Sequence, residues 1–338
     1  GVPRDYTVTG LSGCPHPLAK PQGLVSGRPD APKLALAIRI IPPVTATPTQ
    51  TEPAQAGLAA LWMIGAIVSF SAMAVAGRAL SSDLDTFEMM TYRSIIGFAI
   101  VVSIAAMRGK RGEINTRDLP RHATRNLAHF AGQNLWFFSL TLIPLAQVFA
   151  LEFTSPLWVI LLAPFLLGER FTFKKLGVVL CGFIGILIVA QPGTTPISSG
   201  TIMAATAAIC FALTGIFTKQ LTRRQSVTCI LFYLTAMQLV FGVICAGYDG
   251  DIALPTAEGM PWIIVIGLGG LTAHFCITTA MTLAPATVVL PVDFARLPVI
   301  AIIGMVLYDE PLSLSVFLGA ALIFGANYVN VVTESRKR

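Results

Sequence analysis

The chain has 338 residues, of which 54% are hydrophobic and only 12% charged, with a mean hydropathy of +0.74. An ordinary soluble domain is about 25% charged, so this chain cannot cover a water-facing surface, and an all-α integral membrane protein is the class that fits. The formal net charge of +6 would suit nucleic acid, but the basic residues gather in the loops that membrane orientation favours.

Residues 1–57 stand apart from the rest. PPVTATPTQTEPAQAG (42–57) is rich in Pro, Thr and Ala, lacks an apolar period and reads as a disordered N-terminal extension. KLALAIRII (33–41) is apolar but too short to span, and Arg39 interrupts it.

A membrane helix needs about 20 mostly apolar residues. On that scale the sequence predicts ten spans: 58–78, 87–107, 124–143, 145–167 and 174–191, then 198–219, 226–247, 261–283, 286–307 and 312–333. LIPLA (142–146) and LAPAT (283–287) are Pro-centred hairpins between neighbouring spans. If ten helices alternate, the loops 108–125, 168–175 and 219–225 and the tail put 15 basic residues on one side. Arg78 is the one basic residue opposite, beside the acidic loops SSDLD (81–85) and YDGDIALPTAEG (248–259). The positive-inside rule then places both termini in the cytoplasm.

The halves align without a gap at an offset of 141, as 58–192 and 198–333. IPLAQVFALEF (143–153) lies over APATVVLPVDF (284–294), so Pro144 meets Pro285, Glu152 meets Asp293 and Phe153 meets Phe294. Arg78 falls on Lys219, and Glu169 on Glu310. Five spans is an odd number, so the second copy enters the membrane from the opposite side. Inverted repeats of this kind hold a binding site near the midplane and open it to alternate sides.

Glu152 is the residue that most needs a reason. A charge at mid-membrane costs roughly 2.5–3.5 kcal/mol on insertion scales. At 1.5 Å per residue, Glu152 and Asp293 bracket the centre with about 10 Å between their levels. Arg93 and Gln133 share the level of Glu152; His274 shares that of Asp293, and Arg296 follows Asp293 by one helical turn. Two polar layers are therefore expected: Arg93, Gln133 and Glu152 outward, His274, Asp293 and Arg296 inward. Either the acids pair with the arginines to hold helices together, or the groups line a cavity that binds solute and exchanges a proton. Pro156, Pro164, Pro291 and Pro298 lie in the two acid-bearing spans and mark a kink, a cavity lining or tolerated packing. Trp136, Phe149 and Phe153 are aromatic-pocket or packing residues. The small residues of GVVLCGFIG (177–185) and GAALIFG (319–325) suit close helix contact, between copies of the chain or within it.

IPLAQVFALEFTSPLWVILLAPFLLGERFTFKKLGVVLCGFIGILI, with its shorter echo ending LYDEPLSLSVFLGAALIFGA, resembles the EamA-type branch of the drug/metabolite transporter superfamily. The likeness covers about 58–333, and the second copy departs from the pattern with Asp309 where the first has Gly168. The resemblance implies a ten-helix inverted-repeat carrier with Gln133, Glu152, His274 and Asp293 near the substrate. It also implies a small organic metabolite as partner, such as an amino-acid-like or drug-like solute.

Enzyme signatures are missing: there is no HExxH, GxSxG, P-loop or GxGxxG, and the four histidines lack metal spacing. Five of the six cysteines sit in apolar runs as packing residues. No catalytic residue, cofactor or metal is expected. The expectation is a secondary carrier in a bacterial inner membrane, monomeric or homodimeric, exporting its solute by proton exchange. Uptake of a nutrient such as S-adenosylmethionine is the alternative, followed by a lipid-handling subunit that transports nothing.

Overall fold

The computed structural model describes residues 53–166, 172–191, 197–248, 250–284, 289 and 292–335. Most of the expected disordered extension, residues 1–52, lies outside that set. From Pro53 the chain is already helical, because proline suits a first helical turn whose N–H groups have no partner to lose.

Among the described residues the fold is all helix. It comprises α1 (Pro53–Leu80), α2 (Thr86–Met107), a 3-10 turn (Lys110–Glu113), α3 (Leu119–Leu142), α4 (Leu145–Glu152), α5 (Ser155–Leu166) and α6 (Phe173–Ala190). There follow α7 (Ser199–Leu221), α8 (Val227–Ala246), α9 (Met260–Leu283), α10 (Arg296–Tyr308) and α11 (Leu314–Ser335). Polar caps fix several starts. Asp85 and Glu88 form a reciprocal capping box on α2, while Thr172, Ser198 and Ser226 each accept an N–H of the next helix's first turn.

Among the described residues seven stretches are long and apolar enough to cross a membrane, where the sequence predicts ten. α3 has the length, but His122, Arg125, Asn126, His129, Gln133 and Asn134 make it polar. Arg296–Tyr308 is apolar and follows 285–288, 290 and 291, which lie outside the described residues, and the last helix is apolar over Leu314–Asn330.

The offset of 141 lays α3 over α9 end to end and carries α5 and α6 onto α10 and α11. Packing follows the same two-fold logic. α1 packs on α9 and α3 on α7, and these two pairs are each other's copies; α2 packs on α8 and α6 on α11, each helix on its own copy. Direction can be read from the close approaches. A Cβ on Gly97 would lie 3.0 Å from the Thr235 methyl, and one on Gly242 would lie 3.1 Å from Cα of Thr91. Climbing α2 from 91 to 97 therefore descends α8 from 242 to 235, and the helix runs antiparallel to its own copy.

α6 and α11 touch backbone to backbone. A Cβ on Gly185 would stand 2.7 Å from the Gly319 carbonyl oxygen, and one on Gly319 would stand 2.6 Å from that of Gly185. These small residues therefore close a seam inside the chain. Gly185→Ala is expected to push the helices apart and cost about 1–3 kcal/mol, read as a lower thermal midpoint in detergent. Gly177, with open space around it, serves as the control that should not move the midpoint.

Loops of like character meet at the bundle ends. At one end the Asn115 side-chain amide donates to Gln225 (2.9 Å), and Gln225 donates to Asp118 (2.9 Å), which also pairs with Arg121. Burial pushes the Asp118 carboxyl up, but the Gln225 and Arg121 hydrogen bonds outweigh it and hold it below its usual range. At the opposite end the Tyr92 hydroxyl donates to the Ala253 carbonyl (2.7 Å), and Thr256 donates to Asp83 (3.2 Å). The 108–118 and 222–226 connections thus share one end, and the two acidic loops share the other.

Candidate functional site

Both acid-bearing segments break immediately after the acid. α4 ends at Glu152, and α5 begins anew at Ser155 with Pro156 in its first turn. In the second copy Asp293 is followed by a turn at Phe294–Ala295, and α10 starts at Arg296 with Pro298 in its first turn. Proline is cheap there, since first-turn N–H groups have no helical acceptor. Pro164 lies inside α5, and Pro291 is outside the described residues.

A helix interrupted in a bundle must satisfy the carbonyls it frees. Thr154 donates its hydroxyl to the Leu151 carbonyl (2.7 Å), Ser155 donates to that of Glu152 (2.5 Å), and the Asn327 amide on α11 donates to that of Phe153 (3.4 Å). Phe153 and Phe294, copies of one another, stack with centroids 4.5 Å apart. The two breaks therefore meet at the seam between the copies.

There one arginine joins both acids. Nη2 of Arg296 donates to Glu152 Oε1 and to Asp293 Oδ2, each at 2.7 Å. Trp136 Nε1 donates to the other Glu152 oxygen at 2.7 Å. The Arg296 guanidinium faces the rings of Phe70 (4.7 Å), Phe149 (5.0 Å) and Phe153 (5.2 Å). Asp293 Oδ1 and Arg296 Nε and Nη1 are buried without a hydrogen-bond partner among the described residues.

This corrects the two-layer expectation. Glu152 and Asp293 share one nitrogen instead of standing about 10 Å apart in level. That estimate treated each span as one straight helix, whereas both end at the acid and converge. His274 connects to the triad through Phe70, which it meets edge-on at 5.7 Å. Gln133 is buried on α3, outside the triad's hydrogen bonds. Arg93 points elsewhere, toward Gly270 of α9, with Met90 Sδ at 3.2 Å.

Three contributors were placed differently by the sequence reading. Trp136 was weighed as an aromatic-pocket or packing residue and not as a donor to Glu152, His129 was set aside as scattered, and Arg125 was counted with a basic loop although it is 1% exposed. The signal was present in α3: positions 122, 125, 126, 129 and 133 fall on one helical face and are all polar.

A second ionic contact closes one end of the bundle. Arg78 pairs with Glu310, donates from Nε to the Leu140 carbonyl (2.7 Å) and from Nη2 to that of Ile143 (2.7 Å). Glu310 also accepts the Leu145 N–H at 2.9 Å. One pair thereby fastens α1, the α3–α4 turn and the end of α10. At the far end Lys219, the copy of Arg78, donates to the Met281 carbonyl (2.8 Å), the copy of Leu140. Glu169, the copy of Glu310, is outside the described residues. Glu310→Gln keeps the shape and removes the charge. It is expected to cost about 1.5–3 kcal/mol, the worth of a hydrogen bond to a charged group, measured by thermal unfolding.

Apolar helices long enough to cross a membrane and two antiparallel copies of one unit are the build of a multi-pass membrane protein. The EamA-like transporter family model matches residues 57–191 and again 198–332. The chain belongs to that family and is a transporter, not an enzyme. Among relatives, the S-adenosylmethionine uptake transporter of Rickettsia bellii is 25% identical over 81% of this chain and 94% of its own length. The riboflavin transporter of Rhizobium johnstonii is 28% identical over 86% and 96%, and that of Brucella anthropi 29% over 78% and 95%. A solved crystal structure matches with a TM-score of 0.60 at 18% identity, over 83% of this chain and 99% of that one, a likeness of fold.

Proposed function

We propose that the chain is a proton-coupled secondary carrier for a small organic metabolite, working by alternating access between two inverted five-helix copies, 58–192 and 198–333. The carrying observation is the Glu152–Arg296–Asp293 triad, built from two helix breaks at the seam of those copies. Two carboxylates facing one guanidinium leave one negative charge in excess, which a single proton cancels. Asp293 Oδ1, with no protein partner, is the oxygen best placed to take it. A tilt of one copy against the other would change the triad's surroundings together with the Arg78–Glu310 fastening, linking proton binding to which end is open.

Uptake is favoured over the export that residues alone led us to expect, because relatives matched over more than nine-tenths of their length are named for uptake of S-adenosylmethionine. On this reading the substrate is a metabolite of that size, the ten spans are completed by α3, α10 and α11, and the basic end with both termini faces a bacterial cytoplasm. Arg93, Gln133, Glu152, His274, Asp293 and Arg296 remain the proposed lining and coupling residues.

The test is reconstitution in liposomes with labelled S-adenosylmethionine and riboflavin under imposed pH gradients. Accumulation that follows the gradient supports the proposal. Gradient-independent flux rejects proton coupling, accumulation only with the opposite gradient favours export, and no movement of any solute favours a non-transport role.

A further inference from the structure

We propose that the substrate carries an anionic group, a carboxylate or a phosphate, and that this group seats between Arg93 and Arg125. The inference rests on the transport reading and names the substrate's chemistry. Arg93 is 6% exposed and Arg125 1%. A guanidinium does not give up its proton in a protein, and a buried charge is normally kept only with a partner. Neither arginine has a carboxylate partner among the described residues. Arg93 reaches only Met90 Sδ, a weak acceptor, while Arg125 donates to the Thr218 hydroxyl (3.1 Å) and the Asn126 amide oxygen (2.7 Å).

The buried acids are engaged elsewhere. Glu152 and Asp293 are held by Arg296, Glu88 accepts N–H groups of Asp85 and Ala253, and Asp118 pairs with Arg121 at the basic end. Arg125 lies one turn before His129 on α3, and Arg93 lies against Gly270, one turn before His274 on α9. His129 and His274 meet edge-on at 4.6 Å. Both ring nitrogens of His129, Nε2 of His274 and Oε1 of Gln238 are buried with no hydrogen bond among the described residues. A small cavity between α2, α8 and α9 is lined by Arg93, Ser94, Thr235, Gln238 and Gly270; Arg125 lies outside that lining and is tied to it through Gln238, which donates to the Asn126 carbonyl (2.8 Å). Such a set offers two guanidiniums and imidazole donors to an anion, and nothing acidic to repel it.

The experiment uses the full chain in nonionic detergent without phospholipid, at constant ionic strength. Thermal shifts are read for matched solutes: riboflavin 5′-phosphate against riboflavin, S-adenosylmethionine against its decarboxylated analogue, methionine against methioninamide. In at least one pair the anionic member should half-saturate at about ten-fold lower concentration, and Arg93→Gln or Arg125→Gln should cut that preference below about two-fold. Arg93→Lys and Arg125→Lys, which keep the charge, should retain most of it. The ligand-free midpoints of the Gln variants should stay level or rise, since an uncompensated buried charge is lost; a clear fall would assign both arginines to the fold and overturn the proposal. So would a panel in which neutral members bind equally well, or in which no anionic member shifts the midpoint. Liposome uptake without anion preference defeats this inference and leaves the carrier standing. Anion preference without any solute movement defeats the carrier and leaves the site.

Discussion

Replacing Arg296 with methionine is expected to destabilise the protein by about 3–5 kcal/mol, the cost of stripping one partner from a buried ion pair. Its single Nη2 serves both Glu152 and Asp293, so its loss leaves two carboxylates facing each other behind Phe70, Phe149 and Phe153. The measurement is the yield of monodisperse protein and its thermal midpoint. The triple variant Arg296→Met, Glu152→Gln, Asp293→Asn removes every charge at once and should recover most of that stability while remaining unable to couple. If the single variant is as stable as the parent, the triad is not holding the two copies together.

Neutralising one acid at a time should separate fold from coupling. Glu152 is gripped twice, by Arg296 and by Trp136, whereas Asp293 has one oxygen paired and the other unpartnered. Asp293→Asn is therefore expected to reduce gradient-driven transport by about ten- to hundred-fold, equivalent to a 1.5–3 kcal/mol charged hydrogen bond, and to flatten its pH dependence. Exchange of labelled for unlabelled solute should persist, since it needs no net proton movement. Glu152→Gln should show the larger loss of thermal stability and the smaller change in pH dependence. Unaltered pH profiles in both variants would exclude a coupling role for either acid.

The repeat was legible because Pro144, Glu152 and Phe153 recur as Pro285, Asp293 and Phe294 at a fixed offset, and apolar drift does not produce a second acid in register. Part of the sorting of basic and acidic loops was legible too, since the 108–118 connection does meet 222–226 and Asp83 does meet Thr256, while Arg170 and the basic tail lie outside the described residues. Arg125 was misplaced because hydropathy scores a charged residue near a span's edge as loop. Only the side-on packing of α3 against α7 and the Thr218 hydroxyl turns it inward. The Gly185–Gly319 contact was open between two readings because small residues show that helices approach, not which helices do.

By itself the sequence determined the solvent, the duplication and the presence of acids within the membrane, because composition, period and charge are written along the chain. Tertiary structure decided that Glu152 and Asp293 converge on one arginine, while Arg93 and Arg125 have no acid partner among the described residues. Which charges pair depends on where helices end and how antiparallel copies cross, and a one-dimensional spacing that assumes unbroken helices cannot carry that information.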